Sequence, residues 1–240
     1  NERGRVMRKF AIGLALMVLL PGICRAVQAS TDTQWRTLAP ENTVLMTLPH
    51  GKVVIALAPE FAPNHAKRFK KLVRDGFYDG MRFNRVIDGF VAQAGPEQAS
   101  ENVPELALEA TWPIDNQWTY TFAQAPDMFA PQTGFKHGFA IGVDSIGQNA
   151  WMLHCPGVIG LGRNNGPDTA SSHFYITIGQ APRYLDRIMS LFGRVVYGMA
   201  HVQAIRRTQR VEGQPTPAAE SQTVIVKAQV MADLAPKQQI

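Results

Sequence analysis

The sequence predicts a mostly β protein, a barrel of short strands capped by two α-helices. Short runs of β-branched and aromatic residues recur along the chain, which is typical of strands. Glycine, proline, asparagine and aspartate separate these runs, and only two segments carry apolar residues at helical spacing. No internal repeat is present, and a chain of 240 residues suits one globular domain of this class.

The first expected elements are a β-hairpin and a helix. Two apolar runs, 44–48 and 52–58, flank the turn-forming residues 49–51. Pro63 suits the start of a helix, where a missing N–H leaves no bond unmade, and Gly76 suits its end. The residues between them place their apolar side chains on one face.

A second strand pair, 81–87 and 90–93, is expected around the turn Asp88-Gly89. Residues 96–137 follow, with aromatic residues among prolines. A stretch of this length inside a compact domain is seldom without structure, and we expect a strand at 117–123.

The second half of the chain is expected to supply most of the remaining strands and one more helix. The predicted strands are 138–143, 150–154, 158–161, 174–178, 191–197 and 224–231, and the predicted helix is 199–207.

The net charge of +5 comes mainly from the N-terminus. Residues 1–29 hold five basic residues and one acidic residue, so the rest of the chain carries a net charge of +1. A near-neutral body lacks the electrostatic footprint of a nucleic-acid-binding protein, and we expect no nucleic-acid partner.

The same N-terminal residues have the pattern of a secretory signal peptide. Arg8-Lys9 precedes the apolar run 10–20, and residues 1–29 end with the V-x-A pattern of a cleavage site. Met7 is the expected start of the protein. The apolar run of about 11 residues is shorter than the roughly 20 that a membrane span needs. We therefore predict export to the periplasm with no membrane contact after cleavage. A buried or anchoring helix is the alternative.

Cleavage would remove Cys24 and leave Cys155 as the single thiol, which excludes an intramolecular disulfide. The pair His154-Cys155 allows a nucleophile hypothesis, yet neighbouring strand residues face opposite sides, and a small buried thiol is favoured. No spacing matches a zinc site, and we expect neither metal nor cofactor.

Residues 78–95, YDGMRFNRVIDGFVAQAG, carry the pattern FxRVIxGFxxQxG, which resembles the central signature of the cyclophilins, a family of peptidyl-prolyl cis-trans isomerases. The resemblance implies that Arg85 is the catalytic hydrogen-bond donor. It implies further that Phe90 packs on the proline ring and that Gln93 bonds the substrate backbone. Val91 stands where the family usually has methionine.

The block 162–176, GRNNGPDTASSHFYI, resembles the loop and strand of the same family that end in SQFFI. By this match Gly162 and Arg163 line the peptide groove, and Tyr175 is the pocket aromatic residue. His173 replaces the usual glutamine and is expected to bind substrate from that position.

The block 184–195, YLDRIMSLFGRV, resembles the segment of the family that begins with W-L-D and ends with F-G. Leu185 then closes the proline pocket. Tyr184 stands at the tryptophan position and Met189 at the position often occupied by histidine, so both are expected to bind substrate.

Together the three blocks imply a closed, antiparallel, eight-stranded cyclophilin-like barrel capped by two α-helices. We expect a linker at 30–41, the isomerase domain at 42–233 and a disordered tail at 234–240. Within the domain, the excursion 96–156 is longer than in compact family members.

The chemistry that the resemblance implies needs few groups. Rotation about an X-Pro amide is slowed by a barrier of about 18–20 kcal/mol because resonance gives the C–N bond double-bond character. A donor aimed at the nitrogen stabilises the twisted transition state, in which the lone pair is localised. We therefore expect a monomeric isomerase acting on proline-containing unfolded or partly folded polypeptides during folding of exported proteins. The alternatives are a proline-peptide-binding chaperone module with little catalysis and a hydrolase dependent on Cys155.

Overall fold

Thirteen strands in two antiparallel sheets make up most of the regular structure in the computed structural model, which describes residues 36–96, 103–179, 182–208 and 218–238. The predicted signal peptide, with its expected start at Met7, lies outside these residues. The strands are β1 Thr43–Leu48, β2 Gly51–Leu57, β3 Arg85–Ile87, β4 Val91–Ala94, β5 Trp112–Pro113, β6 Thr121–Gln124, β7 Gln132–Lys136, β8 Phe139–Asp144, β9 Asn149–Met152, β10 Val158–Leu161, β11 Phe174–Thr177, β12 Leu191–Tyr197 and β13 Lys227–Val230.

The larger sheet has eight strands in the order β13-β1-β2-β12-β10-β11-β4-β3. The predicted closure of this sheet into a barrel is wrong. The sheet is an open, strongly curled half-barrel, because its two edge strands, β3 and β13, do not pair with each other. The predicted strand 81–87 keeps only its last three residues in β3, because residues 81–83 make their backbone hydrogen bonds with 223–225 and not with β4. An isolated bridge between Arg82 and Val224 lies at the centre of these bonds and spans the gap between the two edges of the sheet.

The second sheet is built by the excursion 96–156, with the order β5-β9-β8-β7-β6. The predicted hairpin 138–143 and 150–154 is confirmed as β8 and β9. The strand predicted at 117–123 begins later, at Thr121, and two further strands in this region, β5 and β7, were not predicted.

The described residues hold two α-helices, as predicted, α1 Pro63–Arg74 and α2 Met199–Gln203, although α2 ends four residues before the expected boundary. The buried face of α1 carries Phe69, which packs against Phe174 of β11 and Phe192 of β12. These contacts place the main core between α1 and the larger sheet. Near the C-terminus, short 3-10 turns cover Met231–Asp233 and Pro236–Gln238. Neither α1 nor α2, and no other helix of the described ranges, is long and apolar enough to cross a membrane.

The N-terminus of α1 is capped by Glu109, a residue of the excursion. Its carboxylate accepts the backbone N–H groups of Asn64 and His65 at 3.1 Å and the His65 Nδ1–H at 2.7 Å. Burial lowers the pKa of His65, so the neutral ring donates this bond. Burial also opposes ionisation of Glu109, but the hydrogen bonds from His65 and Asn64 outweigh it and hold the carboxyl pKa below 4.5. The cap therefore ties the excursion to the main core.

We expect Glu109→Gln to destabilise the protein by about 1 kcal/mol at pH 7, since it removes the negative charge from a helix N-terminus. A lowered folded-state pKa gives stability that is present above the unfolded value of 4.5 and is lost as pH falls through the folded value. The difference between variant and wild type in urea unfolding should therefore shrink below pH 4.5. A constant difference across this range would contradict the charge argument.

Candidate active site

Nine of the eleven predicted site residues line one groove of about 350 Å³, a size within the usual range for ligand pockets. The strands β3, β4 and β11, the turn between β3 and β4, the loop after β10 and the segment before β12 supply the lining. The lining residues are Arg85, Phe90, Val91, Gln93, Gly162, Arg163, Tyr175, Leu185 and Met189.

Strand register explains how distant residues meet in this groove. Arg85 lies opposite Gln93, Gln93 opposite Tyr175, and Tyr175 opposite Gly160, so one row crosses four adjacent strands on one face. Side chains alternate along a strand, so Phe174, which precedes Tyr175 on β11, points into the core.

Gly160 leaves the space that the ring of Tyr175 fills. A Cβ atom at Gly160 would lie 2.7 Å from the Tyr175 hydroxyl oxygen and 2.8 Å from Cζ, closer than nonbonded atoms normally approach. The absence of a side chain on β10 therefore permits the aromatic floor of the groove.

The exposed guanidinium of Arg85 lies at one end of the groove. Its Nη1 is 3.4 Å from Gln93 Oε1, and its Cζ is 5.8 Å from the centre of the Phe90 ring. This geometry leaves most of its five N–H donors open towards the groove and solvent. Arg85 can therefore offer a charged donor beside an apolar surface.

Tyr175 forms the buried floor, and its hydroxyl is 3.0 Å from His154 Nε2. Burial raises the pKa of Tyr175 well above its usual value, so the phenol stays neutral. Because the hydroxyl is bonded from behind, the groove meets the apolar ring of Tyr175.

Two predicted residues lie outside this groove. His173 lines a smaller polar pocket of about 140 Å³ together with Gln93 and Arg163, and its Nε2 is 2.9 Å from the Pro96 carbonyl oxygen. Tyr184 is 65% exposed on the 3-10 turn Arg183–Leu185. Successive side chains of such a turn point about 120° apart, so Leu185 faces the groove while Tyr184 faces solvent.

Arg163 separates the groove from the polar pocket and is held by main-chain oxygen atoms. Its Nε donates to the Ile188 carbonyl at 3.1 Å, and its Nη1 donates to the Asn164 carbonyl at 2.8 Å. These bonds join the loop after β10 to the segment that carries Leu185 and Met189.

The sequence reasoning missed the buried pair behind Tyr175, formed by His154 and Asp186. Both nitrogen atoms of the His154 ring are engaged, by Asp186 and by Tyr175, which leaves none for Cys155. Burial also raises the pKa of the Cys155 thiol, which keeps it protonated. The geometry thus argues against a nucleophilic cysteine. Within the four described ranges, no group of three or more potential metal ligands is present.

The chain is also similar to known proteins in sequence and in structure. The model of the cyclophilin-type peptidyl-prolyl cis-trans isomerase family matches residues 43–230. A probable peptidyl-prolyl cis-trans isomerase of Brucella suis is 31% identical over 194 residues, which cover 81% of this chain and 85% of that protein.

Solved structures show the same likeness. The crystal structure of a cyclophilin from Hirschia baltica superposes with a TM-score of 0.72 at 32% identity, covering 85% of this chain and 79% of that one. A cyclophilin-type isomerase of Cryptosporidium parvum, at 16% identity and a TM-score of 0.52, covers 79% of this chain and 96% of its own and shows the fold alone.

Proposed function

This chain belongs to the cyclophilin-type peptidyl-prolyl cis-trans isomerase family, and we propose that it isomerises X-Pro bonds with Arg85 as the donor to the transition state. The observation that carries the proposal is the row of Arg85, Gln93 and Tyr175 across adjacent strands, with Phe90 beside it. It brings a charged donor to the edge of an apolar slot.

The proposed mechanism uses the difference between the planar and the twisted amide. In the planar amide the nitrogen lone pair is delocalised and is a poor acceptor, whereas in the twisted amide it is localised and accepts a hydrogen bond. An Arg85 N–H aimed at this nitrogen stabilises the transition state more than the ground state, which lowers the barrier. Arginine suits this role because it stays charged at any physiological pH.

The other groove residues are proposed to hold the substrate. Phe90, Leu185 and Met189 supply apolar contacts for the proline ring above the floor made by Tyr175. Gln93 is proposed to bond the substrate backbone through its amide, and its contact with Arg85 orients both side chains. An isomerisation assay with a proline tetrapeptide tests the function directly, and a wild type without activity would refute it.

We expect Leu185→Ala to lower kcat/KM by about tenfold, since it removes apolar contact with the proline ring. Tyr184→Ala, one residue earlier, should change kcat/KM by less than about twofold, because the exposed side chain lies outside the groove. Equal effects of the two variants in the tetrapeptide assay would contradict this arrangement of the wall.

A proline-peptide-binding module with little catalysis is a second candidate. The observation that favours it is β6, an edge strand whose four residues, Phe122 among them, are all exposed. A free strand edge can pair with an extended polypeptide. Binding of unfolded polypeptides by a wild type that shows no isomerisation would favour this candidate.

We also propose that the chain is exported and acts as a monomer on folding proteins in the periplasm. Support comes from the signal-peptide pattern of residues 1–29. Cell fractionation, with mass spectrometry of the mature N-terminus, tests this, and recovery of the full-length chain in the cytoplasm would contradict it. Light scattering of the purified protein tests the oligomeric state.

A further inference from the structure

We propose that His154 and Asp186 are positioning residues, which hold the wall formed by Leu185 and Met189 and the floor formed by Tyr175 at the spacing that a proline ring needs. The proposal rests on the isomerase function proposed above. It concerns a buried chain of hydrogen bonds that runs behind the groove from Tyr175 to Asp186.

Asp186 bonds the segment that bears Leu185 to His154, which follows β9 of the second sheet. Its Oδ1 accepts both the His154 backbone N–H and the His154 ring Nδ1–H, each at 2.9 Å. Its Oδ2 accepts the Arg183 Nε–H at 2.5 Å. All three bonds involve the ionised carboxylate, and hydrogen bonds of this kind are stronger than those between neutral groups.

His154 links this segment to Tyr175, the floor of the groove. Its side chain is fully buried, and its ring lies nearly parallel to that of Tyr175, with an angle of 3° between the ring planes. Since the carboxylate of Asp186 can only accept, Nδ1 donates to it, and the other ring nitrogen, Nε2, shares a hydrogen bond of 3.0 Å with the Tyr175 hydroxyl.

The wall and the floor of the groove are therefore joined to one carboxylate, the floor through His154. Leu185 directly precedes Asp186, and Met189 follows three residues later, so the bonds of Asp186 fix the wall that carries both. The His154 ring fixes the floor formed by Tyr175. Neither His154 nor Asp186 lines the groove, so their effect on substrate acts through these neighbours.

The test separates KM from kcat for a proline tetrapeptide, measured by NMR exchange between its cis and trans forms. We expect Asp186→Ala to raise KM by about tenfold, because the wall is displaced, and to leave kcat within about threefold, because the bonds of Asp186 do not reach Arg85 on β3. Asp186→Asn keeps an oxygen acceptor for His154 but turns an N–H₂ donor towards the Arg183 Nε–H, so its KM should fall between those of the wild type and Asp186→Ala.

A matched control is His65→Gln. His65 is equally buried and also meets a carboxylate, but it belongs to α1 and does not line the groove. It should lower the thermal midpoint without changing KM.

A KM unchanged in folded Asp186→Ala, or raised equally in His65→Gln, would overturn the positioning role. If Asp186→Ala does not fold, His154→Asn gives the same test, since its shorter amide reaches Asp186 but not Tyr175; KM should rise, and an unchanged KM overturns the proposal. A wild type without isomerisation would instead refute the proposed function, which is a distinct result.

Discussion

Arg85→Ala is expected to lower kcat for proline isomerisation by about 100-fold, in line with the loss of a single donor to a transition state. The change should fall on kcat, because the proposed bond forms fully only with the twisted amide. The side chain is exposed on the short edge strand β3, so the free energy of unfolding should change by no more than about 0.5 kcal/mol. The tetrapeptide assay and urea unfolding measure the two effects.

Two further arginine variants sharpen this prediction. Arg85→Lys keeps a positive charge but loses the planar fork of donors, so we expect an intermediate kcat. Arg194→Ala removes an arginine that is also exposed on a strand and whose Nη1 bonds the Gly138 carbonyl instead. It should leave kcat unchanged. A wild-type rate in folded Arg85→Ala would refute the donor role.

Local patterns in the sequence predict several elements of the fold. The hairpin of β8 and β9 follows from apolar runs on either side of turn-forming residues, and α1 follows from Pro63 and the spacing of its apolar face. The open edge of the larger sheet could not be predicted in this way, because closure depends on pairing between residues far apart in sequence. Residues 81–83 meet 223–225 through an isolated bridge in place of a continuous ladder, and no local spacing indicates this.

The groove was predicted more fully than the structure beneath it. Residues such as Arg85, Phe90 and Gln93 fall in one short segment whose spacing can be matched to a known family. Asp186 and His154 are 32 positions apart and meet only through the fold. Histidine and aspartate also occur at many positions with ordinary surface or core roles, so the residue types alone did not identify the pair. The exposure of Tyr184 likewise depends on the orientation of the 3-10 turn Arg183–Leu185, which the spacing of residues in the sequence does not indicate.

We expect Phe69→Ala to destabilise the protein by about 3–5 kcal/mol, the usual range for a fully buried phenylalanine. Phe69 has no exposed surface, and its ring lies 5.2–5.4 Å from the rings of Tyr78, Phe174 and Phe192. Truncation removes these contacts and leaves a cavity between α1 and the larger sheet. A loss of this size is a large fraction of the 5–15 kcal/mol typical of whole domains.

In urea unfolding this loss should appear as a lower midpoint with an unchanged slope. Phe122→Ala makes the same chemical change at a phenylalanine that is 58% exposed on β6, and it should alter stability by no more than about 1 kcal/mol. Because Phe174 alternates with Tyr175 on β11, a core weakened at Phe69 should also loosen the floor of the groove. We therefore expect folded Phe69→Ala to lose isomerase activity at a lower temperature than the wild type. Similar losses of stability in Phe69→Ala and Phe122→Ala would contradict the placement of the core between α1 and the curled sheet.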